Sequence, residues 1–156
     1  HAYSLTESRQ KRKTTIWRPN TGVAYDISLN RQASSISMSM DRRNYPPEYC
    51  EAVFDAIIQH QPEIEVKLGK TLTWDATYYK VYFVVDDAGY ANDGAGFSTA
   101  VNITAEHYER FQQALEPVLR SLDFRQLRKQ AEVQANAATG SEEPEEFNRT
   151  MEEIPA

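Results

Sequence analysis

Residues 102–122 read N-I-T-A-E-H-Y-E-R-F-Q-Q-A-L-E-P-V-L-R-S-L. Apolar side chains fall at Tyr108, Phe111, Leu115, Val118, Leu119 and Leu122, a spacing that lines them up as one stripe on a helix. Thr104 is a candidate N-cap, because its hydroxyl can accept from the first unpaired backbone N–H groups. Glu106 then falls in the first turn, where a negative charge suits the helix dipole. Just upstream, Val101 and Ile103 alternate with polar neighbours, so a strand over 97–103 is expected to run straight into the helix. An amphipathic helix must bury its stripe against another layer.

That layer is supplied by the segments on the N-terminal side. Residues 14–18, T-T-I-W-R, suit a short strand stopped by Pro19, with Asn20, Thr21 and Gly22 as turn residues. Val23, Tyr25, Ile27 and Leu29 alternate with Ala24, Asp26 and Ser28, and Ile36, Met38 and Met40 alternate with Ser35, Ser37 and Ser39. Both patterns are those of half-buried strands, and short links make the three a meander. A turn holding Arg42 and Arg43 leads through prolines into a helix with Cys50, Val53, Phe54, Ile57 and Ile58 on one face. Residues 63–68 fit either a strand or a helical turn. Strands are expected over 71–75 and, most strongly, 78–85, with 86–96 as a Gly/Asp-rich hairpin loop. Beyond Leu122 the helix is expected to continue with charge replacing the stripe, until Gly140 stops it.

Strands then helix therefore occurs twice, over 14–60 and 71–122. The expected class is α+β: two antiparallel sheet-plus-helix units, helices packed on one side of the sheets, followed by a disordered acidic C-terminal tail. Residues 1–13 form a flexible basic arm, 14–139 a single domain and 140–156 the tail. The 156 residues suffice for one core. No apolar run approaches the roughly 20 residues of a membrane span, and no secretory signal is read. The single cysteine, Cys50, lies on a core-facing stripe and reads as a small hydrophobe; it fits a reducing, cytoplasmic compartment. Net charge is -6. The tail acids Glu142, Glu143, Glu145, Glu146, Glu152 and Glu153 meet only Arg149, so the tail holds most of that excess and the body is near neutral. An acidic total therefore does not exclude a nucleic-acid ligand.

In the strand over 78–85, Tyr79, Val81, Phe83 and Val85 make an apolar face. Tyr78, Lys80 and Tyr82 make the opposite one. Two rings flanking an ammonium supply the stacking surface and the phosphate partner that a single strand needs. The competing reading is cross-strand pairing or an oligomer interface. Trp17, Tyr78 and Tyr82 are the candidates for base stacking. Lys11, Arg12, Lys13, Arg18, Arg42, Arg43 and Lys80 are the candidates for phosphate contacts.

The segment V-N-I-T-A-E-H-Y-E-R-F-Q-Q-A-L-E-P-V-L-R-S-L resembles the closing strand and helix of the Whirly family. The doubled strands-then-helix layout is similar to the Whirly fold as well. The resemblance implies binding of single-stranded DNA or RNA on sheet surfaces by a homo-oligomer. The lysine-rich K-G-K-A-A type motif of plant members is absent from this chain. The acidic tail, ending M-E-E-I-P-A, is similar in character to the tails of bacterial and phage single-strand binding proteins, though it ends in Ala156 and not Phe. That likeness implies a docked replication or transcription protein and a bacterial or phage source, in which case the compartment is the bacterial cytoplasm. A solubilising tail is the plainer alternative. The stretch P-E-I-E-V-K-L-G-K-T-L-T-W resembles part of an uncharacterised domain often appended to bacterial nucleases.

Catalytic patterns are sparse. Glu65-Val66-Lys67 has the Glu-x-Lys form of a nuclease metal site, but the nearest upstream acid, Asp55, falls in an expected helix. His60 and His107 have no evident metal or triad partners, and no cofactor is expected. The sequence thus leads to a non-catalytic single-stranded DNA-binding protein. A protein-interaction, inhibitor or nuclease-accessory module and a metal-dependent nuclease are the alternatives.

Overall fold

The computed structural model describes residues 13–91 and 96–140. The fold is α+β. Five strands, β1 (Lys13–Arg18), β2 (Val23–Leu29), β3 (Ser34–Met40), β4 (Thr73–Asp75) and β5 (Lys80–Val85), form one antiparallel sheet in the order β1-β2-β3-β5-β4. Four helices accompany it: α1 (Pro47–Ile58), α2 (Gln61–Leu68), α3 (Gly96–Ser121) and α4 (Phe124–Gly140). None of the described helices is long and apolar enough to cross a membrane.

The meander follows the alternation in the sequence. Tyr25 pairs with Ile16 and Met38, and Ile36 pairs with Phe83. Val23, Tyr25, Ile27, Leu29, Ile36, Met38, Met40, Val81, Phe83 and Val85 are buried, and with Cys50, Val53, Ile57, Phe111, Leu115 and Leu119 from the helices they make one core. The 19–22 turn is fastened to α1. Thr21 Oγ1 donates to the Arg18 carbonyl at 2.8 Å and accepts from the Val23 N–H at 3.1 Å. The Tyr49 hydroxyl donates to the Thr21 carbonyl at 2.6 Å. A different constraint acts at Gly89, where an added Cβ would lie 2.2 Å from the Gln32 backbone carbon. This close approach ties the 3₁₀ turn at Asp86–Ala88 to the β2–β3 turn, with the Tyr90 N–H donating to the Asn30 carbonyl at 3.1 Å.

Several expectations are corrected. The described strands do not split into two sheets: β5 hydrogen-bonds to β3, so strands from both halves of the chain share one sheet. Residues 97–103 are the opening turns of α3, not a strand. The β-branched residues there mimic a strand locally, yet Ala100 and Thr104 extend the buried stripe of Tyr108 and Phe111 at helical spacing. Thr104 is therefore no cap; it lies buried inside α3 and its hydroxyl donates to the Ala100 carbonyl at 2.6 Å. Residues 63–68 resolve to helix, because Pro62 opens α2 and Gly69, in the left-handed region at φ 78°, ends it. Asp86–Ala88 form a 3₁₀ turn and Gly96 opens α3, so the segment expected as a hairpin loop leads from β5 into a helix; residues 92–95 of it lie outside the described residues.

The helix also breaks after Ser121 where continuation was expected. Asp123 restarts it, its carboxylate accepting from the Gln126 N–H at 3.0 Å as a cap does. The new helix, α4, turns back along α1. Finally, the strand expected over 78–85 begins only at Lys80, with Tyr79 at φ 52° in the preceding turn.

Candidate nucleic-acid interface

Because side chains alternate along a strand, sealing one face of the sheet turns a second set of residues away from the core. These are Lys13, Thr15 and Trp17 on β1, Ala24, Asp26 and Ser28 on β2, Ser35, Ser37 and Ser39 on β3, and Lys80, Tyr82 and Val84 on β5. The two central strands carry small side chains here. Rings flank them, Trp17 on one side and Tyr82 on the other. Trp17 and Tyr82 stand three strand spacings apart, roughly 14 Å. The result is a trough with aromatic banks. Trp17 is 56% exposed and Tyr78 52%, high values for large rings in a folded domain.

Two adjoining grooves, of about 510 and 390 Å³, share Lys13, Asp26, Ser39, Met40 and Arg42. The first adds Trp17 and Arg43 and the second adds Tyr78, Lys80 and Tyr82. The Arg42 guanidinium sits 4.7 Å from the centre of the Tyr78 ring, and the Lys80 ammonium 5.1 Å from that of Tyr82. Local hydrogen bonds hold these groups in place. The Asp75 carboxylate accepts from the Thr77 and Tyr78 N–H groups at 2.9 and 3.2 Å, fixing the turn that presents Tyr78. Asp41 does the same for the arginine turn. The Asn44 side-chain amide, then the backbone N–H groups of Asn44 and Arg43 and the charge of Arg43, hold its carboxyl below the usual range. Three carboxylates, Asp26, Asp41 and Asp75, are thus interspersed with four cations.

Of the residues singled out in the sequence, Lys13, Trp17, Arg42, Arg43, Tyr78, Lys80 and Tyr82 come to this one face. Lys13 belongs to β1 and not to the N-terminal arm. Lys11 and Arg12 lie outside the described residues, as does the tail over 141–156. Arg18 is a correction. It turns to the helix side of the sheet, where its guanidinium pairs with Glu116 of α3. The Tyr25 hydroxyl donates to the other oxygen of that carboxylate at 2.7 Å, and burial, reinforced by Glu116, pushes the phenol's pKa up. Arg18 therefore fastens β1 to α3 and is placed to do so, not to meet a ligand on the open face. Asp26 and Thr15 were not singled out, although their polar positions in alternating strands were the available signal.

The stretch around Glu65 turns out to be scaffold. The Glu65 carboxylate accepts from the Leu72 N–H at 2.7 Å and from Trp74 Nε1–H and Gln61 Nε2–H at 3.3 Å each. These bonds, the Leu72 one foremost, lower its pKa. Glu65 thereby staples the end of α2 to the start of β4. Among the described residues no group of three His, Cys, Asp or Glu side chains is placed to hold a metal. Cys50 is buried, and that burial pushes its thiol up to about 11, far from a reactive thiolate. Burial, with Lys70 and Arg110 nearby, pulls the His107 imidazole down.

Comparison of the chain with family models, with curated proteins and with solved structures gives no match.

Proposed function

We propose that this chain is a non-catalytic protein that binds single-stranded DNA on the open face of its sheet. The observation that carries this reading is the convergence of Lys13, Trp17, Arg42, Arg43, Tyr78, Lys80 and Tyr82, from distant parts of the sequence, on one exposed trough. Each base stacked on a ring contributes about 1–3 kcal/mol, while cations at the rim neutralise the backbone. A duplex hides its base faces, so such a trough favours unpaired strands. The Whirly resemblance supports the same use of a sheet surface, a homo-oligomeric state and a role in replication or transcription. The likeness of the tail to those of phage and bacterial single-strand binding proteins supports a bacterial or phage source and a cytoplasmic site of action.

The test is a titration of labelled single- and double-stranded oligonucleotides at several salt concentrations, with anisotropy as the readout. Four cations at the trough give a slope of log affinity against log salt of about −3. Affinity that ignores salt, or that favours duplex, sinks the proposal.

A second reading, a nuclease-accessory or protein-interaction module, draws on the Glu65 staple. There the stretch that resembles the nuclease-appended domain folds as α2 and the start of β4, joined by Glu65. This reading predicts no oligonucleotide binding and a stable complex with a protein partner.

A further inference from the structure

The larger groove sets a carboxylate beside a cation at each end, Asp26 with Lys13 and Asp41 with Arg42 and Arg43, and its Asp26 end bears on base identity. Trp17 forms one wall, and its register partner Ala24, nearly fully buried, forms a flat floor. Two residues along β2, the Asp26 carboxylate stands with its side chain only 15% exposed. Oδ1 accepts from the Thr15 hydroxyl at 2.6 Å and lies 3.8 Å from Lys13 Nζ. Among the described residues, Oδ2 receives the Ser39 hydroxyl alone, at 3.3 Å. A carboxylate oxygen has two lone pairs, so Oδ2 keeps acceptor capacity toward the groove while Thr15 and Ser39 hold the group still. Arg42 and Arg43 line the same groove beyond the end of β3, whose last residue, Met40, pairs with Val23. Val23 is three strand positions, roughly 10 Å, from Asp26.

From this arrangement we infer that the groove is a guanine-selective base site, an inference that rests on the reading of the trough as a nucleic-acid surface. The ligand needs a flat ring for Trp17, adjacent N–H donors for a fixed carboxylate, and an anionic group for the arginines. Guanine presents two neighbouring donors, N1–H and the N2 amine, on one edge. Adenine and cytosine set their amine beside a ring nitrogen acceptor, which a carboxylate repels. Thymine flanks its one N–H with carbonyls. An arginine side chain of a partner protein also matches a carboxylate, but Arg42 and Arg43 at the rim repel it. Guanine within a strand and a free guanine nucleotide share the required chemistry.

The experiment compares thymine-rich strands that carry isolated guanines with all-thymine strands and with strands in which inosine, lacking the N2 amine, replaces guanine. Guanine strands are expected to bind about tenfold tighter than all-thymine strands. Inosine should lose most of that gain on the unaltered protein, and Asp26→Asn should bring the guanine-to-thymine ratio to about one. Competition by GMP shows that the site accepts the free nucleotide. A strand preference that GMP does not disturb assigns the site to guanine within a strand. Equal affinities for guanine and thymine strands overturn the inference and leave the trough as a base-indifferent surface. Binding of GMP with no binding of any strand overturns the proposed function and leaves the pocket. Binding of neither overturns both.

Discussion

The two faces of the sheet are woven from the same strands and differ in every other respect. On β3, Ile36, Met38 and Met40 lie under the helices, while Ser35, Ser37 and Ser39 alternate with them on the other side. On β5, Val81, Phe83 and Val85 are sealed and Lys80 and Tyr82 are not. The inner face is determined by packing: only apolar groups of fitting volume serve there. The outer face is under no such demand, and its exposed rings and cation–ring pairs contribute only about 0.5–1 kcal/mol each to the fold.

The largest expected effect comes from truncating the inner side. Phe111 is fully buried and meets the rings of Tyr25 and Phe83 at 6.0 and 5.5 Å. Phe111→Ala should lower unfolding stability by about 3–5 kcal/mol, the transfer loss plus the cavity it leaves. Urea denaturation measures this. A loss under about 1 kcal/mol would mean that the α3 stripe is not the keel of the fold.

Arg18 sharpens the comparison, because its charge resembles that of Arg42 and its location does not. Arg18→Met leaves the Glu116 carboxylate with the Tyr25 hydroxyl and no cation. Stability should fall by about 1–3 kcal/mol, while the salt dependence of oligonucleotide binding stays as it was. A shallower salt slope with unchanged stability would return Arg18 to the binding surface.

The same division governs what could be read from the letters. The meander, the α1 stripe and the 108–119 stripe were legible because strict periods of two and of 3.6 survive there, from Val23 through Met40 and from Tyr108 through Leu119. Residues 97–103 were misread because Phe97, Val101 and Ile103 fall on a period of two, while Phe97, Ala100, Val101 and Thr104 fall on a helical one over the same short window. Only Ala100, a small residue with little hydropathic signal, tips the balance to helix. The single sheet could not be foreseen. The pairing of β3 with β5 joins residues far apart in sequence, and local patterns carry no information about register across such a gap. On the open face, Lys80 and Tyr82 were legible from chemistry and alternation, whereas Tyr78 reaches it from the turn before β5 and not from the strand. Arg18, named with the phosphate candidates for its charge, turns to the helix side and pairs with Glu116. Its place in the alternation, on the Ile16 side, was the available correction.

The Glu65 staple lies on the helix side, beside the edge strand β4, and should respond to pH. Hydrogen bonds to the ionised carboxylate depress its pKa in the folded chain. Its stabilisation is therefore complete above the unfolded value, about 4.3, and disappears as pH falls through the lower folded value. Glu65→Gln should cost about 1 kcal/mol at neutral pH, and the difference from the parent chain should shrink as the medium is acidified below pH 4. A gap that stays constant with pH would show that the ionised form has no special place at the α2–β4 junction. Loss of a Mg²⁺-dependent cleavage activity in Glu65→Ala would make the residue catalytic instead of structural.

The smallest expected effect is the most discriminating for the open face. Lys80→Met keeps an apolar stem of similar length and removes the charge, with its contact to the Tyr82 ring. The side chain is half-buried and outside the core, so stability should move by less than about 0.5 kcal/mol. If the ammonium meets a phosphate, one fewer counterion is released, and the slope of log affinity against log salt should become shallower by about 0.7. Affinity should then fall clearly in dilute buffer and hardly at all in concentrated salt, where the parent chain has lost the same advantage. A uniform loss at every salt concentration would point to stacking geometry around Tyr82 as the contribution of this residue. No change at any concentration would place the bound strand on the Trp17 and Arg42 side of the trough and leave β5 as its outer bank.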